Sequence, residues 1–146
     1  MRLQRTVHTT AAPDRVFDYL SDFTTTNEWD PGTVVTERLA GDGGVGTTYR
    51  NVSTFLGRKS ELTYTVTEHR APTRFALRGE NATVVAHDTM EIAAEGAGTR
   101  VTYTADFEFK GLVKYAVPLL APALKRLGDH AEQGLSAGLA RLAGRA

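Results

Sequence analysis

The chain has 146 residues, 41% hydrophobic and 23% charged, which suits one folded globule and excludes wholesale disorder. Its 17 basic and 17 acidic residues cancel, so nucleic-acid binding driven by bulk charge is excluded. With no cysteine, it has no disulfide, thiolate metal site, iron–sulfur cluster or cysteine nucleophile. Met1–Arg5 lacks the apolar core of a secretory signal, and no run approaches the ~20 apolar residues of a membrane span. The expectation is a cytoplasmic domain over residues 1–146, without nucleic-acid partners or stable membrane insertion.

Leu3, Arg5 and Val7 alternate with Gln4, Thr6 and His8, the pattern of a first strand. Ala12-Pro13-Asp14 then starts a helix, with proline in the first turn and an acid near the positive end of the dipole. Val16, Phe17 and Leu20 fall on its inner face. Ser21-Asp22 ends it or caps a second short helix, Phe23 to about Glu28, and Trp29-Asp30-Pro31-Gly32 breaks the pattern. Six strands are predicted next, near 33–39, 46–55, 58–69, 73–79, 83–94 and 99–109, separated by Gly, Pro and Asn turn signals. The glycine cluster Gly41–Gly46 reads as a hairpin loop, because a strand and not a helix follows it. From Leu120 to Leu142, leucines and Ala131 recur every three or four residues, which makes one long amphipathic helix. Pro118 and Pro122 predict a kink or a short separate segment at its start.

The tight turns also predict registers. Ile92 is expected opposite Val101, Met90 opposite Tyr103, Asp88 opposite Ala105, Leu77 opposite Val84, Val66 opposite Leu77, Leu62 opposite Asn51 and Tyr64 opposite Tyr49. All of these give the same apolar face, running from Leu62 and Tyr64 through Phe75 and Met90 to Tyr103 and Phe107. The other face is polar, so one side of the sheet must be covered. The long helix is the natural cover. A single helical stripe does not fill a seven-stranded concave face unless bulky side chains do. Here the face contains small residues (Val84, Ala86, Ala105) and polar ones (Tyr49, Asn51, Tyr64, Asp88, Tyr103), which favours a cavity with polar handles over a solid core.

The pattern resembles the START-like, helix-grip proteins (the SRPBCC superfamily), and within them the polyketide cyclase/dehydrase group. Ala12-Pro13 with Val16-Phe17, Trp29 with Pro31-Gly32, and Gly46 match the group's first helix, its junction and its third strand. Ala71–Phe75, Gly98–Tyr103 and Leu124–Leu127 match its Pro-x-Arg turn, its Gly-Thr-Arg-Val stretch and its closing helix. The likeness spans essentially the whole chain. It implies an α+β helix-grip fold: a curved seven-stranded antiparallel sheet around a long C-terminal helix, with two short helices between strands 1 and 2. It also implies an elongated apolar pocket between sheet and helix. It assigns no catalytic residue, because those differ between subfamilies.

The residue that stands out is Asp88, expected on the apolar face between Ala86 and Met90. Burial there disfavours the carboxylate and raises its pKa, as suits a general acid or base. A return to solvent at a bulge, or a bond to a tyrosine, is the plainer alternative. Tyr49, Tyr64 and Tyr103 are expected to share the interior, where phenols either pack or hold a ligand carbonyl or enolate. Asn51 adds an amide donor. Trp29, Phe75, Met90, Phe107, Leu120 and Leu124 complete the expected ligand-binding set, with Trp29 either packing in the junction or lining the mouth. His8, His69, His87 and His130 lack metal-ligand spacing, and the serines lack a nucleophile elbow, so no metal, cofactor or hydrolase triad is expected.

The apolar segment Leu112–Leu120 is expected to pack as core against the last strand; a mobile lid, or a membrane contact aided by Lys110 and Lys114, are its alternatives. Residues 110–146 carry a net charge of +4, read as a solvated face. Three functions remain in play. The first is a carrier of a small hydrophobic, aromatic polyketide- or lipid-like ligand. The second is a polyketide cyclase or dehydratase using Asp88 and the tyrosines. The third is a cochaperone-like interaction module. The expected assembly is a monomer or homodimer.

Overall fold

Strands with one apolar face need a cover, and the order of elements supplies it. The structure, a computed structural model, describes residues 1–145. Strand β1 (Arg2–Thr9) leads to helix α1 (Pro13–Leu20), a 3-10 turn (Phe23–Thr25) and helix α2 (Thr26–Trp29). Strands β2 (Thr33–Ala40), β3 (Thr48–Phe55), β4 (Arg58–Arg70), β5 (Arg74–Glu80), β6 (Val84–Glu95) and β7 (Gly98–Phe109) follow. A 3-10 segment (Gly111–Ala116) then runs into the long helix α3 (Val117–Gly144).

The seven strands form one antiparallel sheet in the order β1-β7-β6-β5-β4-β3-β2. Strands β1 and β2 therefore stand at opposite edges, and the chain between them crosses one face. That crossing places α1 and α2 over the apolar side. Val16, Phe17 and Leu20 bury there, as their spacing predicts. Asp22 caps the 3-10 turn by accepting from Thr24 N–H at 3.1 Å. Asn27 ties α2 to β2 by exchanging hydrogen bonds with the Thr36 backbone at 2.8 and 2.9 Å.

The registers follow the sequence reading with one exception. Leu77 pairs with Asp88, not Val84, while Val84 pairs with Phe109. The error is four residues, an even number, so the inward face is unchanged. The turn after β5 lies further along than the glycine signal indicated, closed by Asn81 N–H to Val84 C=O. A bulge between Val66 and Glu68 interrupts the β4–β5 ladder and bends β4.

The core is divided. A large cluster lies under α1 and the C-terminal half of α3, and includes Phe17, Phe75, Leu77, Met90, Leu135 and Leu139. A small one of Leu3, Ala105 and Leu124 lies under the N-terminal half of α3. Helix α3 meets the end of α2 and the turn after it closely where it lacks side chains. A Cβ on Gly134 would stand 2.0 Å from the Trp29 carbonyl oxygen, and one on Gly138 2.8 Å from Trp29 Cβ. Arg15 closes the far end of the helix by donating to the Leu142 carbonyl at 2.9 Å.

The 112–120 segment departs from expectation. Pro118 sits in the first turn of α3 and Pro122 lies inside it, with the 3-10 segment as the separate piece before it. Leu112, Tyr115 and Leu119 are exposed and do not form core against β7; Val113 and Leu120 turn inward on the other side.

Gly134→Ala tests the close approach. Alanine favours a helix by up to about 1 kcal/mol, but the clash with Trp29 should dominate. We expect a net loss of roughly 1–3 kcal/mol, a fall in Tm of about 2–10 °C. Gly144→Ala, whose Cβ would meet nothing within 4 Å, should leave Tm unchanged or raise it in the same calorimetric comparison.

Candidate functional site

Under the N-terminal half of α3 the sheet is not filled. A cavity of about 550 Å³ lies between the two. Its roof is Val113, Leu120, Leu124, Leu127, Gly128 and Ala131, one face of the helix and its 3-10 lead. Its walls come from Leu3, Phe55, Leu62, Val84, Ala105, Phe107 and Phe109. A small residue helps leave the space: Ala105 lines it, opposite Asp88 in the ladder.

Gly79 also shapes the site directly. It pairs with Tyr64, and the tyrosine ring lies over it, so a Cβ there would stand 2.6 Å from the ring. Phe23 packs on the other side of Tyr64 at 4.9 Å between ring centroids. The phenol is thereby laid flat along the sheet, in the direction of Asp88.

Asp88 is 5% exposed and lies between Leu77 and Ala105 in the ladder. Burial raises its pKa to about 7, and the nearby charge of Asp30 adds to the rise. The phenols of Tyr103 and Tyr64 oppose it by stabilising the carboxylate. Both phenols are themselves pushed well above their ordinary value, mainly by burial and next by Asp88. Tyr103 and Phe107 are half-buried and line the cavity.

Asp30 is the residue the sequence reading missed. It accepts from Gly32 N–H and from the Thr33 hydroxyl, both at 3.0 Å, in the turn read only as a break. Burial raises its pKa, and those two donors hold the rise back. The signal was present in Asp30-Pro31-Gly32: aspartate before such a turn folds its carboxylate onto the following backbone. Here that turn lies against the cavity wall.

Of the expected ligand-binding residues, Trp29, Asn51, Tyr64, Tyr103, Phe107, Leu120 and Leu124 line the cavity together with Asp88. Trp29 meets Tyr103 edge-on at 6.2 Å. Its indole Nε1–H is the one buried side-chain polar atom without a partner among the described residues. Asn51 is already engaged: its amide donates to Thr36 at 2.8 Å and its carbonyl accepts from Ser53 at 2.7 Å. That network fastens β3 to β2 and leaves little for a ligand.

Three expected residues stand elsewhere. Phe75 and Met90 are sealed in the large core under α1, where the ring of His69 meets Phe75 and Phe17 edge-on. The same face that lines the cavity at one end of the sheet is filled at the other, and the face alone does not say which end. Tyr49 packs against Phe23 at 5.6 Å and borders a separate polar groove with Asp22 and Arg38. His8, His69, His87 and His130 are all exposed. Among the described residues, no three His, Asp or Glu are placed to hold a metal ion.

Solved structures share this architecture over nearly the full chain. TTHA0849 from Thermus thermophilus is 19% identical with a TM-score of 0.82, covering 100% of both chains. The Zhui aromatase/cyclase from Streptomyces sp. R1128 is 18% identical with a TM-score of 0.84, over 100% of this chain and 96% of that one. A START superfamily protein from Mycobacterium smegmatis is 18% identical with a TM-score of 0.74, over 99% and 95%. At these identities the likeness is one of fold. No curated protein sequence matches the chain. The profile of one family, polyketide cyclase / dehydrase and lipid transport, matches residues 1–146. The chain belongs to the polyketide cyclase/dehydrase and lipid transport family.

Proposed function

We propose that the cavity binds a small, largely apolar molecule, aromatic polyketide-like or lipid-like, with Asp88, Tyr64 and Tyr103 orienting it. One observation carries this reading: an apolar space of about 550 Å³ in which a carboxyl and two phenols converge. The volume is within the range of small-ligand pockets, and the walls supply affinity by burial. The unmet indole N–H of Trp29 is a further donor at the same wall.

A second reading, cyclase or dehydratase chemistry, is favoured by the pKa of Asp88 near 7. A carboxyl poised there takes a proton from an activated carbon and returns it to a leaving hydroxyl, which departs as water. The phenols donate to the enolate oxygen formed between the two steps.

A native mass spectrum of the purified protein is expected to show excess mass that extracts as an apolar compound. Ala105→Leu, which intrudes on the cavity beside Asp88, should weaken its retention while the protein stays folded. Retention unchanged in that variant would remove the cavity from consideration. Asp88→Asn should weaken binding of the extracted compound by roughly tenfold, the loss of one charged hydrogen bond; Tyr64→Phe and Tyr103→Phe should each weaken it less. Where turnover accompanies binding, Asp88→Asn should lower kcat by about 10²-fold or more. Equal kcat would leave the carrier reading alone.

The pH dependence of stability follows from the same residue. Asp88 rises from 3.8 to about 7 on folding, so between these values the folded state holds the extra proton. Stability therefore falls as pH rises from about 4 to about 7, by at most on the order of 4 kcal/mol. Asp88→Asn should flatten that slope and raise the Tm at pH 8. The raised Asp30 contributes with the same sign and leaves a residual slope. Parallel slopes in variant and wild type would contradict the burial of an ionisable Asp88.

A further inference from the structure

The start of the closing helix is apolar on both sides. Val113, Leu120 and Leu124 face the cavity. Leu112, Tyr115 and Leu119 face solvent, at 85%, 73% and 84% exposure, with exposed Pro118 and Pro122 beside them. Steps of three and then four residues keep these side chains on one stripe. The only charge between Leu112 and Leu124 is Lys114, whose Nζ lies 5.2 Å from the Tyr115 ring centroid. A helix apolar all round has its second face covered by something, and none of the described residues covers it here.

The opposite side of the cavity is built in the same way. The β3–β4 hairpin turns at Leu56-Gly57, both at positive φ, and Leu56 projects with 64% exposure. Leu56, Arg58 and Lys59 line the same cavity as Val113 and Leu120, so tip and helix start are two sides of one mouth. Arg58, Lys59 and Lys114 are exposed and take no part in an ion pair among the described residues. Lys125 and Arg126 are exposed further along the helix. An apolar stripe flanked by unpaired cations is complementary to apolar chains beneath a negative surface.

We infer that the mouth of the cavity, formed by Leu56 and the Leu112–Leu119 stripe, docks on an anionic lipid bilayer. The docking is peripheral: no helix among the described residues is long and apolar enough to cross a membrane. The stripe enters the boundary between headgroups and acyl chains, and Arg58, Lys59 and Lys114 meet the lipid charge. The cavity then opens towards the acyl layer. The surface stands independently of what the cavity holds.

Vesicle flotation with the full chain tests this, using phosphatidylcholine alone and phosphatidylcholine with about a third phosphatidylglycerol. The protein should float with the anionic vesicles, at least tenfold more than with the neutral ones, and high salt should reduce the fraction. Leu112→Ser with Leu119→Ser should weaken partitioning at least tenfold, as should Arg58→Glu with Lys114→Glu. All four positions are exposed, so melting curves should match wild type. No flotation with anionic vesicles would overturn the inference, as would equal flotation of the double variants. So would a wild-type dimer in sedimentation that Leu112→Ser with Leu119→Ser dissociates, since a second copy would then be the cover. Native mass spectra of Leu112→Ser with Leu119→Ser, neither of which lines the cavity, with retained compound unchanged, separate a failure of docking from a failure of the cavity reading.

Discussion

The contact on which the arrangement depends is the one between α3 and the Trp29–Pro31 junction. The helix backbone meets the Trp29 carbonyl and Cβ and the Pro31 ring there because Gly134 and Gly138 present no side chain. The contact holds the C-terminal half of the helix against α2 and the large core, where Leu135, Leu139 and Leu142 bury. The N-terminal half is left to span the rest of the concave face with a single stripe. One stripe does not fill that face where the sheet presents Ala105. The cavity follows from this mismatch of widths.

An ionisable group in such a space is destabilising unless something answers it. Asp88 is answered in part, by two phenols, and is opposed by Asp30. The outcome is a carboxyl that exchanges its proton near neutrality. A fully satisfied Asp88 would sit low and act as a structural anchor; one without the phenols would rise further and stay protonated. The notch at Gly79 contributes by keeping the Tyr64 ring flat, so an unreactive glycine takes part in setting the state of a carboxyl on the neighbouring strand.

Most of the frame was legible in the chain. Strand limits, inward face and the position of Asp88 follow from period-two alternation and short turns, which are local signals. Even the misplaced Leu77–Val84 register kept the right face, since the error was even. What was not legible depends on distance in sequence. Phe75, Met90 and Tyr103 share one face, yet only Tyr103 reaches the cavity, because α1 covers the end where the other two lie. That outcome depends on where a crossing connection settles over the sheet, and no local pattern states it. Asn51 shows the same limit: its amide is occupied by Thr36, fifteen residues away on the neighbouring strand. Asp30 was hidden differently, inside a turn whose backbone role was plain and whose side-chain role was not. The leucines of 112–120 read as core because apolar composition does not distinguish a buried face from an uncovered one.

The division of the core into a solid end and a hollow end separates two kinds of selection. Residues under α1 hold the chain together, and changes in Phe17, Phe75 or Leu139 act on folding. Residues around the hollow end, such as Ala105, Leu124 and Phe107, already border empty space, so their size can change with less strain. The lining of the cavity can thus change while the frame stays fixed. Solved structures 18–19% identical share the whole architecture.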